Sequence, residues 1–259
     1  HSLELKINYY IYLMEEREDV IYLNSNINEV FAITELTQYF SNPLDKTIEL
    51  SISFKIKEEI NLTKFIITVD DKIYKSKIMT KEKAEEKYND AISSGNTGFL
   101  SKYEDEKMTN YSVNIGKINP KQKVKLNTFF IQMINSFDMS YEFIIMKNYP
   151  TFYFKELTYN RTEKSKKIKA NFKIETQSKI TRLISPIDHH DYEITFNDNY
   201  TKADIKYFGD IKNEFQTARL EGKINKQIFN SDFCILFRTE NMNKPILYYQ
   251  YNPELKETS

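Results

Sequence analysis

The chain has 259 residues, 40% of them apolar and 29% charged, with 37 basic side chains against 37 acidic ones. This composition excludes a disordered chain, and the zero net charge argues against a nucleic-acid binder, whose affinity comes mostly from neutralising phosphates. A single cysteine excludes an intramolecular disulfide framework and favours a reducing, cytoplasmic compartment.

The predicted elements begin with "VFAITELTQYF" (30–40), strand-like and followed by the Asn-Pro turn signal of "SNPLDK" (41–46). In "TIELSISFKIK" (47–57), Ile48, Leu50, Ile52, Phe54 and Ile56 fall on one face. Glu49, Ser51, Ser53, Lys55 and Lys57 fall on the other, the alternation of a half-buried strand. These two strands are expected to form a hairpin with its turn in 41–46. "FIITV" (65–69) runs into Asp70-Asp71 and then "KIYKSKIM" (72–79).

The one helix is predicted near 80–94. Thr80 can cap its N-terminus, and Glu82 lies in the first turn, where the helix dipole favours negative charge. Ala84, Tyr88, Ala91 and Ile92 recur on one helical face, with Glu82, Glu85, Glu86, Asn89 and Asp90 opposite. Gly95 suits the left-handed residue that ends a helix. The narrow apolar stripe predicts a packing element laid across the end or edge of a sheet.

Strands then resume at "YSVNIGKI" (111–118) and "KVKLNTFFIQM" (123–133), separated by the Asn-Pro turn at 119–120. "YEFIIM" (141–146), "IKANFKI" (168–174), "KADIKYF" (202–208) and "FCILFRT" (233–239) continue the pattern. Many short strands without βαβ alternation predict an all-β fold, a β-sandwich with one short amphipathic helix. The Pro, aromatic and charged stretch within 136–160 suggests two closely joined units. We take these as 1–145, a sandwich holding the helix, and 146–259, a second β-rich unit packed against it. No apolar run is long enough to span a membrane as a helix.

Three stretches carry a family resemblance: "TQYFSNPLDKTIELSISFKI", "KEKAEEKYNDAISSGNTGFL" and "YSVNIGKINPKQKVKL". Together they resemble the vault protein inter-alpha-trypsin (VIT) domain over about residues 25–135. Phe40, Asn42 and Pro43 match its Phe-x-Asn-Pro strand end. Ala84, Tyr88, Ala91 and Gly95 match its helix, and Val113, Gly116, Ile118 and Pro120 match the strand after it. Departures are Phe54-Lys55-Ile56, where the family tends to have Phe-Pro-Leu, and Lys121, where glycine is usual. "ISPIDHHDYEI" and "NSDFCILFRTENMNKPILYY" resemble the β-rich segment that often precedes a von Willebrand factor A domain. The resemblance implies no catalytic residues, a place at the front of a larger protein, and intramolecular contact with a downstream von Willebrand A domain.

The remaining motifs favour plain readings. "DHHD" (188–191) is the best metal candidate, but a strand would let only His189 with Asp191, or Asp188 with His190, share an ion. A polar turn after Pro186 is the reading adopted. Cys234 sits in "DFCILF", apolar on both faces, as an inert core thiol. "SSGNTG" (93–98) lacks the Lys-Ser/Thr of a phosphate loop, and "DMSYE" (138–142) fails the Asp-x-Ser-x-Ser signature at its last position. The basic run "RTEKSKKIKANFK" (161–173) could meet phosphates, with Phe172 and Tyr159 for stacking. We read it as a solvated loop entering an edge strand, since lysines commonly guard edges. Sequons occur at Asn61, Asn110, Asn160 and Asn199.

The expected function is therefore non-enzymatic, with no catalytic, cofactor or metal residues, no nucleic acid and no membrane span. Protein partners would meet exposed strand edges or apolar patches. Rival readings are a secreted inter-alpha-trypsin heavy-chain-like matrix protein and the non-catalytic part of a vault-associated ADP-ribosyltransferase.

Overall fold

Alternation of apolar and polar side chains dictates what forms here. The computed structural model describes residues 20–56, 59–77, 79–103, 110–137, 139–146, 153–154, 167–185, 192–210, 232–242 and 244–245. In chain order the first strands are β1 (Val20–Ile27), β2 (Phe31–Ser41), β3 (Ile48–Lys55), β4 (Ile60–Val69) and β5 (Lys72–Lys75). Helix α1 (Lys81–Ser93) precedes β6 (Gly98–Tyr103), β7 (Asn110–Ile118), β8 (Lys123–Met133), β9 (Asn135–Phe137) and β10 (Ser140–Met146). Then come β11 (Tyr153–Phe154), β12 (Lys167–Glu175), β13 (Ile180–Ile184), β14 (Tyr192–Phe196), β15 (Lys202–Asp210) and β16 (Asp232–Thr239). The class is all-β, as predicted.

One eight-stranded sheet, in the order β14-β15-β12-β1-β2-β8-β4-β5, backs the molecule. Its inner face is apolar because register lines up the inward set. Leu36 of β2 stands opposite Leu23 of β1, which stands opposite Ala170 of β12, itself opposite Tyr207 of β15. Two four-stranded sheets, β11-β3-β7-β6 and β13-β16-β10-β9, pack on that face. Tyr111 of β7 stacks on Phe65 of β4 at 5.4 Å. At the other end Phe172 of β12 meets Phe143 of β10 and Phe233 of β16. The buried apolar residues form one continuous cluster across both contacts. Strands from 1–145 and from 146–259 thus share one sheet, joined by the parallel pairing of β1 with β12.

The expected hairpin of residues 30–40 with 47–57 is corrected. β2 pairs with β1 and β8, whereas β3 pairs with β7 and β11 in a different sheet. Residues 42–47 cross between sheets, and so do residues 119–122 after β7. Asn42 laces the two crossovers together. Its Nδ2 donates to the carbonyls of Lys46 (2.8 Å) and Ile118 (2.9 Å), and its Oδ1 accepts from Leu44 N (2.9 Å). At the second crossover Lys121 adopts φ +61°, a left-handed residue without glycine. That conformation costs about 1 kcal/mol. The Lys121 Nζ reaches the Pro43 carbonyl and Asp45, both at 3.2 Å.

Helix α1 lies on β6, the edge strand of its sheet, as the stripe predicted. Tyr88 and Ile92 sit over Gly98 and Gly116, which face each other across β6 and β7. Gly95 takes φ +85°. Asn96 N donates to Ala91 O and Gly95 N to Ile92 O, the paired bonds of a Schellman end. Thr80 stands at the N-cap, but its hydroxyl makes no capping bond. The first turn is exposed, so water can serve its free N–H groups.

Candidate interaction surfaces

Glu29 is the one buried carboxylate among the described residues, in the β1–β2 turn. Its Oε1 accepts from Gln177 N at 2.8 Å. Burial raises its pKa above the ordinary carboxylate value, against the lowering effect of backbone hydrogen bonds. Tyr141 is raised too, first by burial and then by the Glu29 charge. The folded state therefore holds the Glu29 proton more tightly than the unfolded state does. Its charge costs stability above the raised value, and that cost fades as pH falls toward the ordinary 4.5. Glu29→Gln keeps an acceptor for Gln177 N and removes the charge. It is expected to match or exceed wild type by about 1 kcal/mol at neutral pH, with the gap closing toward pH 5. Urea unfolding of both proteins across that range checks this. A variant weaker at pH 7.5, with an unchanged gap at pH 5, contradicts it.

The outer face of the large sheet carries the other features. Phe31 pairs with Met133, and Ile33 with Ile131, so four apolar side chains adjoin at one end of β2 and β8. Ile33 is 43% and Met133 62% exposed. Beside them Asn26, Asn28, Lys173, Glu175 and Lys202 border an open groove of about 580 Å³. Its charges are compensated: Lys202 bonds Glu175 at 2.8 Å, and Lys173 stands opposite Asp204. Elsewhere on this face lysines lie over rings, Lys64 on Phe129, Lys125 on Tyr39 and Lys167 on Phe208.

The sequence candidates fall as follows. The Asp188–Asp191 segment lies outside the described residues, as do Tyr159, Asn160, Asp138 and residues 161–166. Among the described residues no group of three His, Cys, Asp or Glu side chains could hold a metal, and no helix is long and apolar enough to cross a membrane. Cys234 is a buried free thiol within β16. Residues 93–98 are the helix exit, with Gly98 opening β6.

The described part of the basic run is not an edge strand. β12 lies between β1 and β15, its lysines outward and Ile168, Ala170, Phe172 and Ile174 inward. Phe172 is fully buried, which removes it as a stacking surface. Asn61 and Asn199 are exposed. Sequence reasoning passed over β14, although Tyr192, Ile194 and Phe196 alternate there.

Residues 20–129 match the family model of the vault protein inter-alpha-trypsin domain. The chain is 31% identical over 104 residues to a von Willebrand factor A domain-containing protein of Dictyostelium discoideum, covering 40% of this chain and 11% of that protein. It is 28% identical over 107 residues to von Willebrand factor A domain-containing protein 5A of Rattus norvegicus, covering 41% and 13%. With inter-alpha-trypsin inhibitor heavy chain H3 of Pongo abelii it shares 26% identity over 120 residues, 46% and 14% of the two chains. The chain thus spans only a small part of the relatives it matches.

Proposed function

With residues 20–129 carrying a vault protein inter-alpha-trypsin domain, we propose that the chain is a non-enzymatic interaction module at the front of a multidomain protein. Its partner is a von Willebrand factor A domain of the same polypeptide. The observation that carries this reading is the outer-face patch of Phe31, Ile33, Ile131 and Met133, apolar and open on a face the core does not use. Patches of this kind mark docking surfaces. The relatives support the partner, since two of those named carry von Willebrand factor A domains. The proposal includes a division into a VIT unit, 1–145, and a companion unit, 146–259. It also includes a cytoplasmic location, supported by the lone, buried Cys234.

The exposed sequons at Asn61 and Asn199 favour a second reading, a secreted heavy-chain-like matrix protein. Asn61 stands opposite Ile131, so a glycan there would crowd the patch. The test is a photo-crosslinking residue at Met133 in the full-length polypeptide from its source. Crosslinks to a downstream segment bearing Asp-x-Ser-x-Ser are expected. Their absence, together with an occupied Asn61, would overturn the docking model.

A further inference from the structure

The outer-face patch has one member that a mild oxidant can change. Phe31, Ile33 and Ile131 carry hydrocarbon side chains, whereas Met133, the last residue of β8, carries a thioether and is 62% exposed. Met79 and Met242 are partly buried, and Met139, in the β9–β10 turn, is 51% exposed. Met133 is thus the most open methionine among the described residues, and exposure governs which methionine an oxidant reaches first.

One added oxygen changes what the patch can bury. With hydrogen peroxide the S–O bond forms as the O–O bond breaks. The sulfur gives up two electrons, and the second peroxide oxygen leaves with both protons as water. The sulfoxide oxygen is a hydrogen-bond acceptor, and docking would strip it of water. Its neighbours in the patch offer no replacement donor. Phe31 N already donates to Asn28 Oδ1 at 2.8 Å, and Ile33 and Ile131 lie in strands paired on both sides.

We propose that Met133 is an oxidation switch for the patch: the thioether permits docking and the sulfoxide releases it. The inference rests on the docking reading above and adds its regulation by an oxidant of the peroxide class. The charged groove beside the patch does not offset the change. Lys173 lies on β12, three strand spacings or about 14 Å from β8. The fold does not oppose the change either, because Met133 stands on the outer face and its sulfoxide meets water in the undocked chain. Methionine sulfoxide reductases reverse it: two thiols supply the electrons and join as a disulfide, and the oxygen leaves as water.

The test uses the full-length polypeptide with a photo-crosslinking residue at Ile33, which leaves Met133 intact. Peptide mass spectrometry reads oxidation at each methionine after hydrogen peroxide treatment. Crosslinks to the downstream von Willebrand A segment are expected from the reduced protein. They should fall about tenfold once Met133 carries the added oxygen, the effect of one acceptor buried without a partner. Sulfoxide reductases acting on both epimers should restore them. Met133→Leu should keep its crosslinks through the treatment, and Met133→Gln, permanently polar, should lose them without it. Met139→Leu should behave as wild type, since Met139 lies outside the patch. If Met133→Gln does not fold, Met133→Leu still decides. Crosslinks that survive oxidation of Met133, or that peroxide removes equally from Met133→Leu, overturn the switch and leave the docking reading standing. No crosslinks from the reduced protein overturn the docking reading, and the switch falls with it.

Discussion

Asn42→Ala is expected to lower the unfolding free energy by about 3 kcal/mol, roughly 1 for each polar group left without its partner. Asn42 is 1% exposed, and its side chain serves three backbone groups from two crossovers. Its own backbone joins in, donating to Gln122 O (3.1 Å) and accepting from Lys121 N (3.0 Å). Alanine strands the Ile118 and Lys46 carbonyls and the Leu44 N–H, and water reaches them only in part. Asn42→Asp tests the chemistry rather than the volume. It turns a carboxylate oxygen onto two carbonyl oxygens, so at neutral pH it should be at least as damaging as alanine. Burial and those carbonyls raise the new carboxyl's pKa. Stability should therefore recover as pH falls through that value and the group regains an O–H to donate. Urea unfolding at pH 7 and pH 5 measures both. An alanine variant within about 1 kcal/mol of wild type would contradict the role.

The same residue shows what was legible in the sequence and what was not. Phe-x-Asn-Pro was visible, and so was the alternation that sends Ile48, Leu50 and Ile52 inward. Periodicity says which side chains share a face; it does not say which strand lies next. A turn signal between two alternating runs fits a hairpin and an inter-sheet crossover equally well, and only the long-range bonds of Asn42 separate them. The lysines of β12 posed the same ambiguity, since outward lysines suit an edge strand and a central strand with one solvated face alike. β1 was hidden for another reason. Ser25 takes an inward position and is satisfied by Thr34 at 2.8 Å, so the apolar rhythm breaks where the burial does not. Of the candidate surfaces, exposed edges and apolar patches could be expected as a kind. Their location depended on sheet order, which has no local signal.

Gly116→Val carries the second large effect and explains why this helix belongs among these strands. A Cβ at Gly116 would lie 2.2 Å from Ile92 Cδ1 and 3.0 Å from Tyr88 Oη. Only Gly95 among the described glycines has positive φ, so the demand at Gly116 is for space and not for a backbone conformation. β6 and β7 keep a shallow notch because Gly98 and Gly116 face each other, and the helix stripe sits in it. Lys102 adds a tether from β6 to Glu85 of α1 at 3.3 Å, but half-exposed surface pairs of this kind contribute little. The docking therefore rests on Tyr88 and Ile92. Filling the notch should cost about 2–3 kcal/mol as overpacking, with loss of helical circular dichroism ahead of global unfolding. Ile92→Ala in the Gly116→Val background should recover part of the loss, although Ile92→Ala alone is destabilising. That non-additivity is expected of residues in direct contact. Additive losses in the double variant would mean that Gly116 supports the strand and not the helix, and α1 would then need another anchor.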